Sequence, residues 1–157
     1  MFNFSGFTQK ANTAINLAVE TAENLGHTYI GSEHLLLGLI KEGNGIASKV
    51  LADYGVSGDE IEDNIKQTVG VGTPTVLTPN DFTPRFKNIL EISAVHAKAL
   101  GHSYIGTEHL LMAILSEKSC WASDFIRAFD VAPEDMLEKL VYTSNLMSSD
   151  NNNNHYY

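Results

Sequence analysis

The sequence predicts an all-α protein assembled from two copies of one four-helix unit. Three observations carry this. The stretch LGHTYIGSEHLL at residues 25–36 returns as LGHSYIGTEHLL at residues 100–111, changed only at Thr28/Ser103 and Ser32/Thr107. The offset of 75 residues holds without a gap from the pair Phe7/Phe82 to the pair Val56/Val131, which marks a duplicated structural unit. The apolar residues recur at i, i+3, i+4 and i+7, and no alternating run is long enough to compete as a strand.

The elements follow in order. Thr8 is placed to cap a first helix, whose inner face is Ala11, Ala14, Ile15, Ala18, Val19, Ala22 and Leu25. Gly26 supplies a left-handed terminator. Ser32 reads as the cap of a second helix, with Glu33 in its first turn, where the helix dipole favours an anion, and Leu35, Leu36, Leu39 and Ile40 inward. A third helix is expected over 44–54 and a fourth, capped by Ser57, over 58–69. The segment 70–81 is rich in Gly, Pro and Thr and reads as a linker. The second unit repeats the plan: Thr83 caps, Pro84 fits the first helical position, and Thr107 caps the next helix. Ile89, Leu90, Ile92 and Leu100, then Phe125, Ile126 and Phe129, then Met136, Leu137 and Leu140, mark the inner faces. The expected organisation is therefore 1–70, a linker at 71–81, a second unit at 82–147, and a polar low-complexity tail at 148–157.

Composition narrows the function. Of 157 residues 43% are hydrophobic, and mean hydropathy is −0.09, as in a soluble globular domain. No apolar run approaches the roughly 18 residues of a membrane span, and residues 1–10 lack a signal-peptide pattern, so a cytoplasmic location is the default expectation. A formal charge of −9, with ten Lys+Arg spread along the chain, argues against a nucleic-acid partner. The lone Cys120, beside Trp121, reads as buried packing. There is no phosphate-binding GxxxxGK[ST] loop, GxSxG, HExxH or paired CxxC, so no catalytic site and no cofactor of this chain is expected.

Two constellations recur in both units. His27 and His34 return as His102 and His109, near Glu33 and Glu108. Their spacing does not give the i, i+3 or i+4 pair that a helix offers a metal, so no metal is expected. Instead His27 and His102 are expected to bond backbone in the turn, and His34 and His109 to support a helix start. Glu33 and Glu108 read either as first-turn carboxylates or as half of a binding corner. Helix starts with free N–H groups and the hydroxyls of Thr8, Ser32, Thr83 and Thr107 suit a phosphate, and a carboxylate beside them suits a guanidinium. A ligand carrying both charges on adjacent atoms satisfies the pair.

The doubled LGHxYIG[ST]EHLL, with its FTxK- and FTxR-like helix starts, resembles the N-terminal (Clp R) repeat domain of Clp/Hsp100 ATPases, and most nearly the ClpC type of Gram-positive bacteria and plastids. The resemblance covers roughly residues 7–146, and the EGxGxAxxVL pattern at 42–51 belongs to it. It implies two four-helix repeats related by a pseudo-twofold axis, and a non-catalytic docking module that recruits adaptor and substrate proteins to an unfoldase feeding the ClpP peptidase. ATP is expected only in the ATPase modules of such a parent, and the isolated domain is expected to be a monomer. The resemblance further implies phosphoarginine recognition, with Glu33 and Glu108 taking the guanidinium and the helix starts at Thr8 and Thr83, with Lys10 and Arg85, taking the phosphate.

Departures from that pattern are expected to matter. Lys10 replaces a planar arginine fork, Phe86 is expected to crowd the second pocket, and EGxGxA has become Glu117-Lys118-Ser119-Cys120-Trp121-Ala122. Each site is read here as lying within one unit. Phe2, Phe4 and Phe82 are candidates for an apolar docking patch, or else close the end of the core. Two other functions compete with recruitment: a free-standing accessory protein docking on a Clp complex, and a small metal-dependent enzyme built on the His/Glu clusters.

Overall fold

The structure, a computed structural model, describes residues 1–150. Eight α-helices follow one another in these residues: α1 (Gln9–Asn24), α2 (Ser32–Glu42), α3 (Ile46–Asp53), α4 (Gly58–Val69), α5 (Pro84–Ala99), α6 (Thr107–Ser116), α7 (Trp121–Arg127) and α8 (Pro133–Asp150). One 3₁₀ turn at Pro79–Asp81 precedes α5. The all-α, two-unit prediction is met. α8 carries three residues further than the expected start of the tail, and residues 151–157, the rest of that tail, lie outside the described residues.

Local chemistry sets most boundaries. Thr8 and Thr83 cap α1 and α5, their hydroxyls accepting from Ala11 N at 3.1 Å and Phe86 N at 3.0 Å. Ser57 does the same for α4, accepting from Glu60 N at 3.3 Å. α2 and α6 differ from expectation. Their cap residues are Gly31 and Gly106, and the ring of His34 or His109 accepts the cap N–H, at 2.9 and 2.8 Å. Ser32 and Thr107 are thus the first helical residues and do not cap their own helices.

α2 and α6 form the middle of the molecule. Leu35, Leu36, Leu37 and Leu39 on one, and Leu110, Leu111, Ile114 and Leu115 on the other, are buried. Each such side chain contributes about 1.5–3 kcal/mol relative to exposure. The two units interlock. α3 packs on α6 and α8, and α7 on α2, across the repeat boundary. Two short parallel bridges cross as well: Ile30 donates to Asp81 O at 2.9 Å and accepts from Thr83 N at 3.0 Å, while Ile105 donates to Gly6 O and accepts from Thr8 N, both at 2.9 Å. Residues 70–81 run along the first unit: Gly72 N–H donates to Leu25 O at 2.8 Å, and Leu77 N–H to the Glu23 carboxylate at 2.8 Å.

The aromatic candidates close the core. Phe82 is 7% exposed and stacks on the fully buried Phe86 with centroids 4.1 Å apart, and Phe4 lies 6.0 Å from Phe82. Phe82 is therefore not available to a docking partner in this conformation. Phe4 is half-buried against the core, and Phe2 alone of the three sits at the surface.

The closest helix approach is between α1 and α2. A Cβ on Gly38 would overlap the Ala14 carbonyl oxygen and lie 2.9 Å from Ala18 N, both backbone atoms with no freedom to step aside. The corresponding residue of α6 is Ala113, which is fully buried. Gly38→Ala is expected to lower stability by about 1–3 kcal/mol through overpacking, read as a lower urea midpoint with an unchanged slope, whereas Ala113→Gly is expected to lose only about 1 kcal/mol of helix propensity.

Candidate functional site

The site grows from the crossed backbone bridges. Because Ile30 is held between Asp81 and Thr83, the start of α2 in the first unit lies against the start of α5 in the second. A pocket of about 280 Å³ opens at this junction, lined by Tyr29, Ser32 and Glu33 from one unit and Thr83, Arg85, Ser119 and Trp121 from the other. The reading of each site within one unit is thereby corrected. Glu33 shares its pocket with Thr83 and Arg85, not with Thr8 and Lys10. The backbone bridge recurs at the other junction, where Ile105 is bonded to Gly6 and Thr8 and sets the start of α6, with Glu108, against the start of α1.

Ser32 and Thr107 also act across the boundary. Ser32 Oγ accepts from Ala122 N at 3.2 Å, at the first turn of α7, and Thr107 Oγ1 accepts from Ala47 N at 3.3 Å, at the first turn of α3. They cap the other unit's third helix. The residues beneath them differ in a matched way. A Cβ on Gly45 would run into the Thr107 hydroxyl and lie 3.0 Å from the Thr107 methyl. The second junction carries Cys120 at that position, opposite Ser32, which lacks the methyl. Cys120 thus faces the smaller hydroxyl residue, while the change from Gly43 to Lys118 is not explained by this contact.

Glu33 is 1% exposed, and burial pushes its carboxyl above the ordinary range, against the opposing pull of its own backbone N–H, the Tyr29 hydroxyl at 3.2 Å and His27. Tyr29 is raised in turn to about 12, first by burial and then by the Glu33 charge. Such a carboxylate gains most from a cation that replaces the lost solvent. Arg85 stands at the pocket edge, donating to Ser119 Oγ at 3.0 Å and paired with Glu117 at 3.4 Å, while Asn88 Nδ2 donates to the same Glu117 oxygen at 2.7 Å. In the first unit the matching Glu42 instead accepts Gly45 N–H at 2.7 Å and Asn44 N–H at 3.1 Å, at the start of α3. Phe86 turns inward beneath Phe82 and does not line the pocket, so the expected crowding does not occur.

The histidines have a structural role that the bonds define atom by atom. Gly31 N–H donates to His34 Nδ1, so the His34 proton sits on Nε2. That proton faces His27 Nδ1 at 2.7 Å, which leaves the His27 proton on Nε2, aimed at Gly70 O at 2.9 Å. His34 is neutral in this chain of bonds, and the linker is tied to the turn through it. The second unit repeats Gly106 N–H to His109 and His109 to His102 at 2.8 Å. His102, Glu108 and His109 offer ligand atoms within 4.8 Å of one another, but both His109 nitrogens are engaged in these bonds.

Tyr29, Ser119 and Trp121 were not singled out as pocket residues in the sequence. Trp121 carried the one available signal, an indole where the first unit has Ile46. Among the described residues no helix is long and apolar enough to cross a membrane.

Residues 6–129 match the family model of the Clp repeat (R) N-terminal domain, and the chain belongs to this family. Within it, the chain is 40% identical over 138 residues to the chloroplastic chaperone protein ClpC1 of Oryza sativa subsp. japonica, covering 88% of this chain and 15% of that protein. It is 47% identical over 114 residues to the ATP-dependent Clp protease ATP-binding subunit ClpA homolog of Guillardia theta, covering 73% and 14%. The fold is that of the N-terminal domain of ClpD from Arabidopsis thaliana, with a TM-score of 0.72 at 20% identity over 91% of this chain and 96% of that one. The Hsp104 N-terminal domain from Candida albicans superposes with a TM-score of 0.69 at 15% identity, covering 87% and 90%. The chain thus spans about 15% of the length of the curated relatives it matches.

The histidine chain makes stability depend on pH. Burial lowers His34 and His109 from 6.5 to about 3, with the facing histidine adding to it, so the unfolded chain takes up protons that the folded one refuses. Their contribution is complete above about pH 6.5 and is lost as pH falls toward about 3. Glu33 acts in the opposite sense, since protonation relieves its burial. Urea midpoints measured from pH 7 to pH 4 are expected to fall, and His34→Gln, though less stable at pH 7, is expected to show a shallower fall. An unchanged slope in that variant would place the pH dependence elsewhere.

Proposed function

We propose that this domain is a non-catalytic recruitment module of a Clp unfoldase system, and that its paired junction pockets take arginine-phosphorylated proteins. The observation that carries the reading is the composite pocket itself. A desolvated carboxylate, Glu33, lies on one unit, and a hydroxyl and a guanidinium, Thr83 and Arg85, lie on the other, within one cavity. That disposition suits a ligand whose guanidinium and phosphate are joined by one bond. Glu108 with Thr8 and Lys10 forms the matching site, with the lysine acting as a point charge toward phosphate. Adaptor proteins are the second class of partner, and a parent ATPase and its peptidase are reached through the remainder of a longer protein. The working compartment is the cytoplasm or, as the names of several relatives indicate for them, the chloroplast.

Calorimetry with a phosphoarginine peptide and its unphosphorylated twin tests the reading. Two sites are expected for the marked peptide and none for the other. Glu33→Ala is expected to weaken one site by roughly 10- to 100-fold, the loss of a charge-assisted bidentate contact. Because the sites cross the repeat boundary, Arg85→Ala is expected to act on that same site, so the double variant with Glu33→Ala keeps one intact site. Lys10→Ala combined with Glu33→Ala is expected to impair both. If neither peptide binds, the family fold stands and adaptor docking becomes the function to test by pull-down.

A further inference from the structure

The two junctions are not copies, and besides Arg85 in place of Lys10 they differ at the start of the third helix. Trp121 and Ile46 occupy the same place in the repeat, the first position of the third helix. Ile46 is 4% exposed and belongs to the core, so the fold needs only an aliphatic group there. Trp121 is 48% exposed and lines the Glu33 pocket. A large apolar ring left half in water, at a position whose duplicate is buried, is not explained by packing.

Both aromatic walls of this pocket are held from behind. The Trp121 ring stacks on Phe125, centroids 6.0 Å apart and 26° between planes. Tyr29 stacks on His27 at 5.8 Å and 11°, and its hydroxyl donates to Glu33. The pocket is therefore lined by two rings, each stacked on a neighbour, and by a buried carboxylate. A planar, delocalised cation is the ligand class that uses all three: it pairs with the carboxylate through its edge and stacks through its face. An ammonium group, with no face, gains much less from the same walls.

We propose that Trp121 is a specificity-determining residue that stacks on the guanidinium plane of the bound phosphoarginine and makes the Glu33 pocket the tighter and more selective of the two. This rests on the pocket reading given above and adds to it a preference that the Glu108 site, where the matching residue is the buried Ile46, does not share.

Trp121 is the only tryptophan in the chain, so its fluorescence reports on this pocket alone. The test uses the full chain carrying Glu108→Gln, which leaves one pocket to read, titrated with a phosphoarginine peptide by calorimetry and fluorescence in parallel. A saturable change in emission with the same midpoint as the heat is expected. Trp121→Ile, which installs the residue of the other junction, is expected to weaken binding roughly three- to tenfold, and Trp121→Phe less. A phospholysine peptide is expected to be insensitive to Trp121→Ile. Heat without a fluorescence change, or an unaltered affinity in Trp121→Ile, overturns the proposal while the pocket reading stands. No heat at all overturns both. Circular dichroism checks that each variant is folded, and Trp121→Phe, which keeps a ring on Phe125, carries the test if Trp121→Ile is not.

Discussion

The molecule depends on a backbone exchange. Ile30 borrows hydrogen bonds from the residues that introduce α5, and Ile105 from those that introduce α1. The N–H and C=O groups of Ile30 and Ile105, four in all, find these partners only when the other unit is present. The hydroxyls of Ser32 and Thr107 repeat the exchange at the third helices. Neither unit is complete alone, and every candidate ligand contact lies where the exchange occurs. The bonds that join the two units therefore also set the shape of the proposed site.

Electrostatics at the junction follow from that burial. Three polar side chains of the repeated motif, Glu33, His34 and Ser32, are withdrawn almost wholly from solvent at the start of one helix. His34 escapes the cost of charge by remaining neutral, with its two nitrogens assigned by a donor on one side and an acceptor on the other. Glu33 is instead pushed toward its protonated form by burial, against the pull of its own backbone N–H, the Tyr29 hydroxyl and His27. A buried carboxylate of this kind is stabilised further by a cation that reaches it, and the proposed ligand preference rests on that.

Much of this was legible in the sequence. The unbroken offset between repeats, with Thr8, Ser57 and Thr83 as caps and glycines as terminators, located all eight helices, because these signals are local. The role of His34 and His109 in supporting a helix start could also be read, since it involves residues three positions apart. What was hidden is non-local. Nothing in a linear repeat says whether a unit closes on itself or on its neighbour, so Glu33 was grouped with Thr8 and Lys10 when it faces Thr83 and Arg85. Ser32 and Thr107 looked like caps because their type and position fit, and the histidine that displaces them is unusual in that role. Phe86 looked like an obstruction because the direction in which it points is set by Phe82, not by its neighbour Arg85.

The matched pairs Thr107 with Gly45 and Ser32 with Cys120 carry an implication for how the two junctions can vary. A side chain at residue 45 meets both the hydroxyl and the methyl of Thr107, so these two positions cannot be changed one at a time unless the upper side chain shifts. The junction that holds the larger lower residue is also the one whose next position holds an exposed indole.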